Sequence, residues 1–345
     1  MTDAPLKRLP LNEPLAARVF AKLGPGGFHS GEQLATALNV SRNAIWKAVG
    51  ALKVRGVVIH AVRNRGYRLA VPTAALDGPS ILKGLDAPTR ARLRQLEVAW
   101  ELASTNSTLF ARSDLPPGRC DALLAEVQNA GRGRRGRTWL ATPGGTLCLS
   151  VGWTLAQMPR DMGALGLVIG VCALQALSAH IPATVLEATP LQLKWPNDLV
   201  CQGAKLGGIL IDLRAEGGGP SHVVIGIGIN VALDEGARER IRAAGAQPCD
   251  LKSLEVPPLQ RNAVAASLIQ CLIQGLIEFE AHGFEPFRER WQRADALRGK
   301  PVNVLTDKEP VRGVAQGIDA DGALLVACAG GLVRFVSGDV SVRTE

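Results

Sequence analysis

The apolar positions of this chain keep three rhythms in succession. Over the first 75 residues the spacing is helical, with Leu15, Val19 and Leu23 on one repeat and Ile45, Val49 and Leu52 on another. Residues three or four apart share one face of a helix, so each set predicts an amphipathic helix. Pro14 suits the first turn of a helix over 11–23. Ser30 with Gln33 has the form of a capping box and opens a short helix through Leu34 and Leu38, which Asn39 ends; Ser41 caps the next. Two short helices and a tight turn predict a helix-turn-helix. Beyond them, 57–62 and 67–69 flank the turn Arg63-Asn64-Arg65-Gly66, a hairpin standing beside the helices as a wing.

In the middle, strand-like runs at 98–102, 123–128, 146–153, 191–195, 206–213 and 223–231 alternate with helical segments. A buried helix is expected over 162–180, and a strongly amphipathic one over 261–282 that 284–291 extends. This predicts an α+β unit around a mixed or antiparallel sheet. From Gly299 the rhythm shortens to five β runs, at 302–305, 311–317, 323–326, 333–336 and 340–342, which predict a small barrel. Residues 72–79 (PTAALDGP) read as a linker. The chain therefore divides into 1–72, 80–294 and 295–345, while 234–258 carries no motif and its contacts are left unassigned by the sequence.

Charge sharpens the N-terminal reading. The net charge is +8, and residues 1–75 hold 11 Lys and Arg against 3 Asp and Glu, leaving 28 of each in the remainder. A segment so basic suggests a polyanion. The second helix, capped by Ser41, would expose Arg42, Asn43, Trp46, Lys47 and Lys53, and the wing adds Arg63, Arg65 and Arg68. Duplex DNA is the partner these residues suit. No apolar run reaches the ~20 residues of a spanning helix, and MTDAPLKRLPLNEP lacks an apolar signal core. The expectation is a cytoplasmic protein with no membrane partner. Seven cysteines, never closer than 22 residues and without a CxxC, predict reduced structural thiols and no zinc.

The chemistry gathers at strand ends. Residues 131–139, GRGRRGRTW, set Arg132, Arg134, Arg135 and Arg137 between Gly131, Gly133 and Gly136. Glycine lets backbone N–H groups turn towards an anion, and arginine supplies fixed, always-protonated forks. Hung between two strands, the segment reads as a mobile anion-binding loop. Ser104-Thr105-Asn106, Gln128, KWPND (194–198) and KLGGIL (205–210) end other strands. With no metal-ligand spacing and no nucleophile–base pair, such a set would hold a carboxylate against a nucleotide phosphate. Ser104 to Asn106 could equally cap a helix. Asn197 and Asp198 could bond ribose, bind Mg²⁺ or close a turn after Pro196. GIGIN (226–230) is half a dinucleotide fingerprint, but the third glycine is missing and no helix is expected to follow.

In this order, STN, QNAGRGRRGRTW, KWPNDL, KLGGIL and GIGINV resemble the biotin protein ligases. SGEQLATALNVSRNAIWKAV with the wing VRNRGYRL resembles the winged helix of that family's longer members, the bifunctional ligases that also repress the biotin operon. The resemblance spans nearly the whole chain. It implies a winged helix-turn-helix, a central class II synthetase-like mixed α/β catalytic domain and a small C-terminal SH3-like β-barrel. It implies biotinyl-5′-adenylate made from biotin and ATP with Mg²⁺, then biotin passed to a lysine of the biotin carboxyl carrier protein of acetyl-CoA carboxylase. On this resemblance Ser104, Thr105, Asn106 and Gln128 would touch biotin's ring end. Arg132, Gly133 and Arg134 would hold its carboxyl and the phosphate, Lys205 would contact carboxylate and then adenylate, and Gly208 would line the pocket. Lys205, Arg132 and Arg134 become the catalytic candidates. The nucleotide would meet Arg134, Arg135, Arg137, Trp139, Lys194, Asn197, Asp198, Lys205 and Asn230. The adenylate would serve as corepressor, promoting a homodimer on operator DNA. Three rivals stand beside this reading: a lipoate-type ligase, which should lack the glycine-arginine loop; a repressor with a silent catalytic domain; and a ligase whose DNA-binding arm answers to no biotin signal.

Overall fold

A computed structural model describes residues 14–112, 115–215, 220–306, 309–336 and 341–344. Residues 11–13 of the first expected helix and 340 of the last expected strand lie outside them. The N-terminal unit runs α1 (Leu15–Leu23), α2 (Gly31–Leu38), α3 (Arg42–Val54), β1 (Ile59–Val62), β2 (Gly66–Leu69). Its caps form as their spacing dictates. Gln33 N donates to Ser30 Oγ at 3.0 Å and Ser30 N to Gln33 Oε1 at 2.8 Å, while Ala44 N donates to Ser41 Oγ at 3.2 Å. The helical repeats close on one core that includes Val19, Phe20, Leu34, Ile45, Leu52 and Leu69.

The central unit holds α4 (Gly78–Gly84), α5 (Ala87–Arg92), β3 (Leu93–Leu102), α6 (Thr105–Phe110), β4 (Cys120–Gln128), β5 (Thr146–Leu155), α7 (Leu165–Ser178) and α8 (Ala183–Ala188). It continues with β6 (Leu191–Lys194), β7 (Asp198–Cys201), β8 (Ala204–Ala215), β9 (Ser221–Asn230), α9 (Glu235–Ala243), α10 (Arg261–His282) and α11 (Glu285–Arg293). Its strands form one sheet in the order β3-β4-β5-β9-β8-β7-β6. Only β3 and β4 run parallel, so the sheet is mixed as expected. Strands β10 (Pro301–Leu305), β11 (Val311–Ile318), β12 (Leu324–Cys328), β13 (Gly331–Phe335) and β14 (Ser341–Thr344) form an antiparallel sheet ordered β13-β12-β11-β10-β14. Val302, Val304, Leu324 and Val326 of this sheet belong to the same hydrophobic core as the central strands. Trp195 Nε1 donates to Gly322 O at 3.1 Å across the join.

Four expectations change. Segment 72–79 is no free linker: Thr73 and Leu76 are buried, Thr73 N donates to Gly24 O, and Asp77 N donates to Asn262 Oδ1. Its Pro and Gly read as flexible, but its small apolar residues fit a seam between two packed units. Helix α10 is not amphipathic in the expected sense, because Val264, Ala265, Ala266, Leu268, Ile269, Leu272 and Ile273 are all buried, more than one stripe can supply. By length and composition Pro258–His282 could cross a membrane, contrary to the expectation that no run is long enough; 56% of that window is buried inside the protein. A helix does follow GIGIN, since α9 begins at Glu235 with Asp234 Oδ1 accepting from Ala237 N at 2.7 Å.

Two contacts dock the N-terminal unit. The rings of Phe20 and Trp100 pack at 5.8 Å. Arg55, closing α3, pairs with Glu101 of β3 at 2.6 Å, and Glu101 also accepts from Asn129 Nδ2 at 2.9 Å. The hydrogen bond from Asn129, then that from Arg55, holds the Glu101 carboxyl below the usual carboxylate range.

Deeper lies an ion pair that water does not reach. Arg261 and Glu126 are 1% and 3% exposed and lie 2.9 Å apart. Arg261 also donates to Ala74 O at 2.8 Å and Thr146 O at 2.9 Å, while Glu126 accepts from Leu76 N at 2.7 Å and Gly144 N at 3.2 Å. Replacing Arg261 with Ala would strand a buried carboxylate, so Arg261→Ala should cost about 3–5 kcal/mol in urea unfolding. A loss under about 1 kcal/mol would mean the pair is not holding these segments.

Candidate active site

A cavity of about 510 Å³ opens at one end of the central sheet. Every residue that the sequence assigned to biotin or nucleotide lines it: Ser104 to Asn106, Gln128, Arg132 to Arg135, Arg137, Trp139, Lys194, Asn197, Asp198, Lys205, Gly208 and Asn230. Strand ends bring these together because the loops after β3, β4, β6 and β9, and the start of β8, converge there.

The glycines of GIGIN build the floor. A Cβ on Gly226 would sit 2.2 Å from Asn106 Oδ1, and one on Gly228 would sit 2.3 Å from the Trp139 ring. Only a bare backbone lets those side chains lie on the sheet. Trp139 Nε1 is buried and has no acceptor among the described residues, a donor left over at the cavity wall.

The end of the cavity around Ser104, Thr105 and Asn106 is a polar network. Ser150 Oγ lies 2.7 Å from Thr105 Oγ1 and 2.6 Å from Asn106 Oδ1, and Thr105 N donates to Gln128 Oε1 at 2.8 Å. Ser150 has one proton to give, to Asn106 or to Thr105, and Thr105 Oγ1 has Gln128 Oε1 as an acceptor at 3.2 Å. Asn106 Nδ2 donates to Leu210 O at 3.2 Å and Asp212 Oδ2 at 3.0 Å. Ser104 also caps α6, accepting from Ser107 N at 3.4 Å, so the capping role and the place at the cavity coexist.

The arginine loop is tighter than a free loop. Gly133 N donates to Arg137 O at 2.7 Å and Trp139 N to Gly131 O at 2.9 Å, with Arg135 and Gly136 both at positive φ. The Gly133 N–H is therefore occupied within the loop in this conformation. Arg132 pairs with Asp212 at 2.7 Å, and Arg134 Nη1 donates to Asn197 Oδ1 at 3.3 Å.

At the other end Lys205 pairs with Asp198 at 2.6 Å. Asn197 Nδ2 donates to Ile209 O at 2.8 Å, tying the turn after Pro196 to β8. Asn230 Nδ2 donates to Lys205 O and Cys249 O, at 3.1 and 3.0 Å, fixing the backbone around the lysine. Segment 234–258, whose contacts the sequence left unassigned, encloses this end. Arg240, Ile241, Ala244 and Ala246 line the cavity, and Lys205 exchanges backbone bonds with Gln247 and Cys249.

Seven basic side chains face this cavity among the described residues, Arg132, Arg134, Arg135, Arg137, Lys194, Lys205 and Arg240, against the one carboxylate of Asp198. No histidine lines it. The arrangement suits holding anions together, not attacking them. Sequence reasoning missed Asp212, Ser150 and Arg240. Asp212 alone left a trace, a carboxylate in the otherwise apolar run following KLGGIL.

A second, shallow groove lies between α3 and the wing, lined by Arg42, Asn43, Trp46, Arg63, Asn64 and Tyr67. Trp46 is 65% exposed. Arg65 and Arg68 stack on Phe28, with guanidinium carbons 4.2 and 4.8 Å from the ring centre. Lys47 and Lys53 are exposed but stand outside the groove, and Ser41 serves as the cap of α3.

Residues 103–230 match the model of the biotin/lipoate A/B protein ligase family, 298–343 that of the biotin protein ligase C-terminal domain, and 23–68 an HTH domain. The chain is 37% identical over 328 residues to the bifunctional ligase/repressor BirA of Escherichia coli (strain K12), covering 95% of this chain and 97% of that one. It is 30% identical to the bifunctional ligase/repressor BirA of Bacillus subtilis (strain 168), covering 91% and 94%. The solved biotin protein ligase of Aquifex aeolicus in complex with biotin and ATP matches with a TM-score of 0.58 at 26% identity, over 72% of this chain and 99% of that one.

One consequence needs no ligand. Cys148 lines the cavity, but burial pushes its thiol up to about 11. At pH 8 the thiolate fraction is then ~10⁻³. Iodoacetamide should leave Cys148 unmodified in the native protein for hours and label all seven cysteines only after unfolding. Rapid native labelling at Cys148 would overturn this environment.

Proposed function

This chain belongs to the biotin protein ligase family, in its long form with an N-terminal winged helix, and on that premise we propose how its cavity and its DNA-binding unit work. The protein is an ATP-dependent biotin protein ligase that also acts as a DNA-binding repressor. The observation carrying the reading of the site is the cavity itself, where residues from five separate motifs surround one space whose charged lining is seven cations against the one carboxylate of Asp198.

The first step joins two anions. A biotin carboxylate oxygen attacks the α-phosphorus of ATP, and the bond to pyrophosphate breaks as biotinyl-5′-AMP forms. Thr105, Asn106 and Gln128 orient the ring. Arg132, Gly133 and Arg134 bring carboxylate and phosphate together, and Lys205 neutralises charge at the reacting oxygens. Each well-placed donor of this kind contributes about 3–4 kcal/mol, and alignment up to about 7–11 kcal/mol in ideal cases. Lys205 is held by Asp198 before substrate arrives, so its ammonium must exchange partners to reach the phosphate. In the second step a carrier lysine amine attacks the acyl carbon and AMP leaves. We assign that lysine to the biotin carboxyl carrier protein of acetyl-CoA carboxylase.

Mg²⁺ enters as part of the substrate MgATP. Asp198 is the one carboxylate on the wall, and no cluster of three or more His, Cys, Asp or Glu is gathered for a metal among the described residues. An ion that keeps several waters and binds phosphates needs little more.

We propose the functional division 1–72, 80–294 and 295–345, with cytoplasmic action and biotinyl-5′-AMP as corepressor. Arg42, Asn43, Trp46 and Arg63, facing one groove, would meet base edges and backbone, with Lys47 and Lys53 on flanking phosphates. A single winged helix binds one half-site weakly, so repression would need a homodimer on a two-fold operator. A ligand that favours one state of the arginine loop can shift that equilibrium by its differential affinity.

Lys205→Ala should lower biotin-dependent pyrophosphate release by ~10²-fold or more. Near-normal release from a folded variant would remove the lysine from the first step. Operator affinity, read by band shift, should tighten when biotin and MgATP are added and weaken steeply with salt. Equal affinity with and without ligand would leave a ligase bearing a DNA-binding arm that senses nothing.

A further inference from the structure

We infer that Asp212 is a positioning residue for adenylation, a latch that ties the closed arginine loop to the ring end of the cavity; the inference rests on the ligase reading above. Asp212 stands on β8 and does not line the cavity. Its Oδ1 accepts from Arg132 Nη2 at 2.7 Å, and its Oδ2 accepts from Asn106 Nδ2 at 3.0 Å. Arg132 Nη1 reaches the neighbouring turn as well, donating to Ser107 Oγ at 3.0 Å. One carboxylate thus joins the loop after β4 to the polar residues after β3.

The choice of a carboxylate follows from the donors. Arg132 and Asn106 both present N–H groups, and an ionised carboxylate accepts at both oxygens. An amide at 212 would set N–H against N–H on one side. Asn106 cannot turn to compensate, because its other contacts, to Leu210 O and Ser150 Oγ, already fix it and it is 3% exposed. A half-exposed ion pair holds little by itself. Here one partner is fixed by the sheet, so the pair selects one closed position of the loop over its open alternatives. Loop closure and the shape of the ring end are then set together. A loosened latch should admit biotin poorly and let water reach the adenylate, whose acyl–phosphate bond it splits to biotin and AMP.

The test uses the full-length protein with Asp212→Asn, Asp212→Glu, Arg132→Met and the Arg132→Met/Asp212→Asn double variant, each checked for an unchanged thermal melt. Limited trypsin digestion without ligand should cut the loop of Asp212→Asn several-fold faster than that of the parent, with most protection restored in Asp212→Glu. In pyrophosphate release, KM for biotin should rise about tenfold in Asp212→Asn while kcat changes little, and preformed adenylate should hydrolyse about tenfold faster. The double variant should be no worse than Arg132→Met alone, as expected for two ends of one interaction. Parental trypsin lifetime and KM in Asp212→Asn would overturn the latch, as would fully additive losses in the double variant. Failure of the parent itself to release pyrophosphate with biotin would sink the ligase reading, while the ligand-free digestion would still decide the latch.

Discussion

The central architecture hangs on the buried pair of Glu126 and Arg261. Taking two charges out of water costs several kcal/mol for each ion, and attraction alone rarely repays it. Here both terminal nitrogens of Arg261 and both oxygens of Glu126 also meet backbone groups of the seam at 74–76, the start of β5 and the turn at Gly144, while Arg261 Nε has no partner among the described residues. The pair therefore acts on register as much as on stability. It fixes where α10 meets the sheet, where the N-terminal unit enters, and where the segment leaving the arginine loop rejoins the sheet.

From that frame the site inherits its geometry. The cavity gathers more positive charge than a folded interior would tolerate if it were dry and empty. Two carboxylates moderate it, Asp198 on Lys205 and Asp212 on Arg132. Each sits where a substrate anion can later compete for the same cation. The glycines of β9 remove side chains from the floor, so Trp139 and Asn106 rest directly on the backbone. The floor is fixed by the sheet backbone, and the arginine loop is held by its own backbone hydrogen bonds and by the pair of Arg132 with Asp212.

The DNA-binding unit is not merely appended. Glu101 receives both Arg55, at the end of α3, and Asn129, two residues ahead of Gly131. Phe20 packs on Trp100 of the same strand and approaches Gly144. The root of the arginine loop and the end of α3 thus share one carboxylate and one edge of the sheet.

What the sequence determined by itself was local. Capping residues placed α2 and α3, β-forming apolar runs placed most of the strands, and the glycine and arginine spacing marked the anion loop, because these depend on neighbours within a turn or a strand. The residues assigned to biotin and nucleotide were legible for the same reason, and all of them line one cavity. Tertiary structure decided the rest. Composition made 72–79 look like a linker, yet burial against Gly24 and Asn262 turned it into a seam. Helix α10 carries apolar residues on several sides because the core surrounds it. Segment 234–258 has no periodic signal, and only the fold reveals that it encloses the Lys205 end of the cavity. Asp212 could not be singled out, since a carboxylate becomes a latch only when folding brings Asn106 and Arg132, distant in sequence, to its two oxygens.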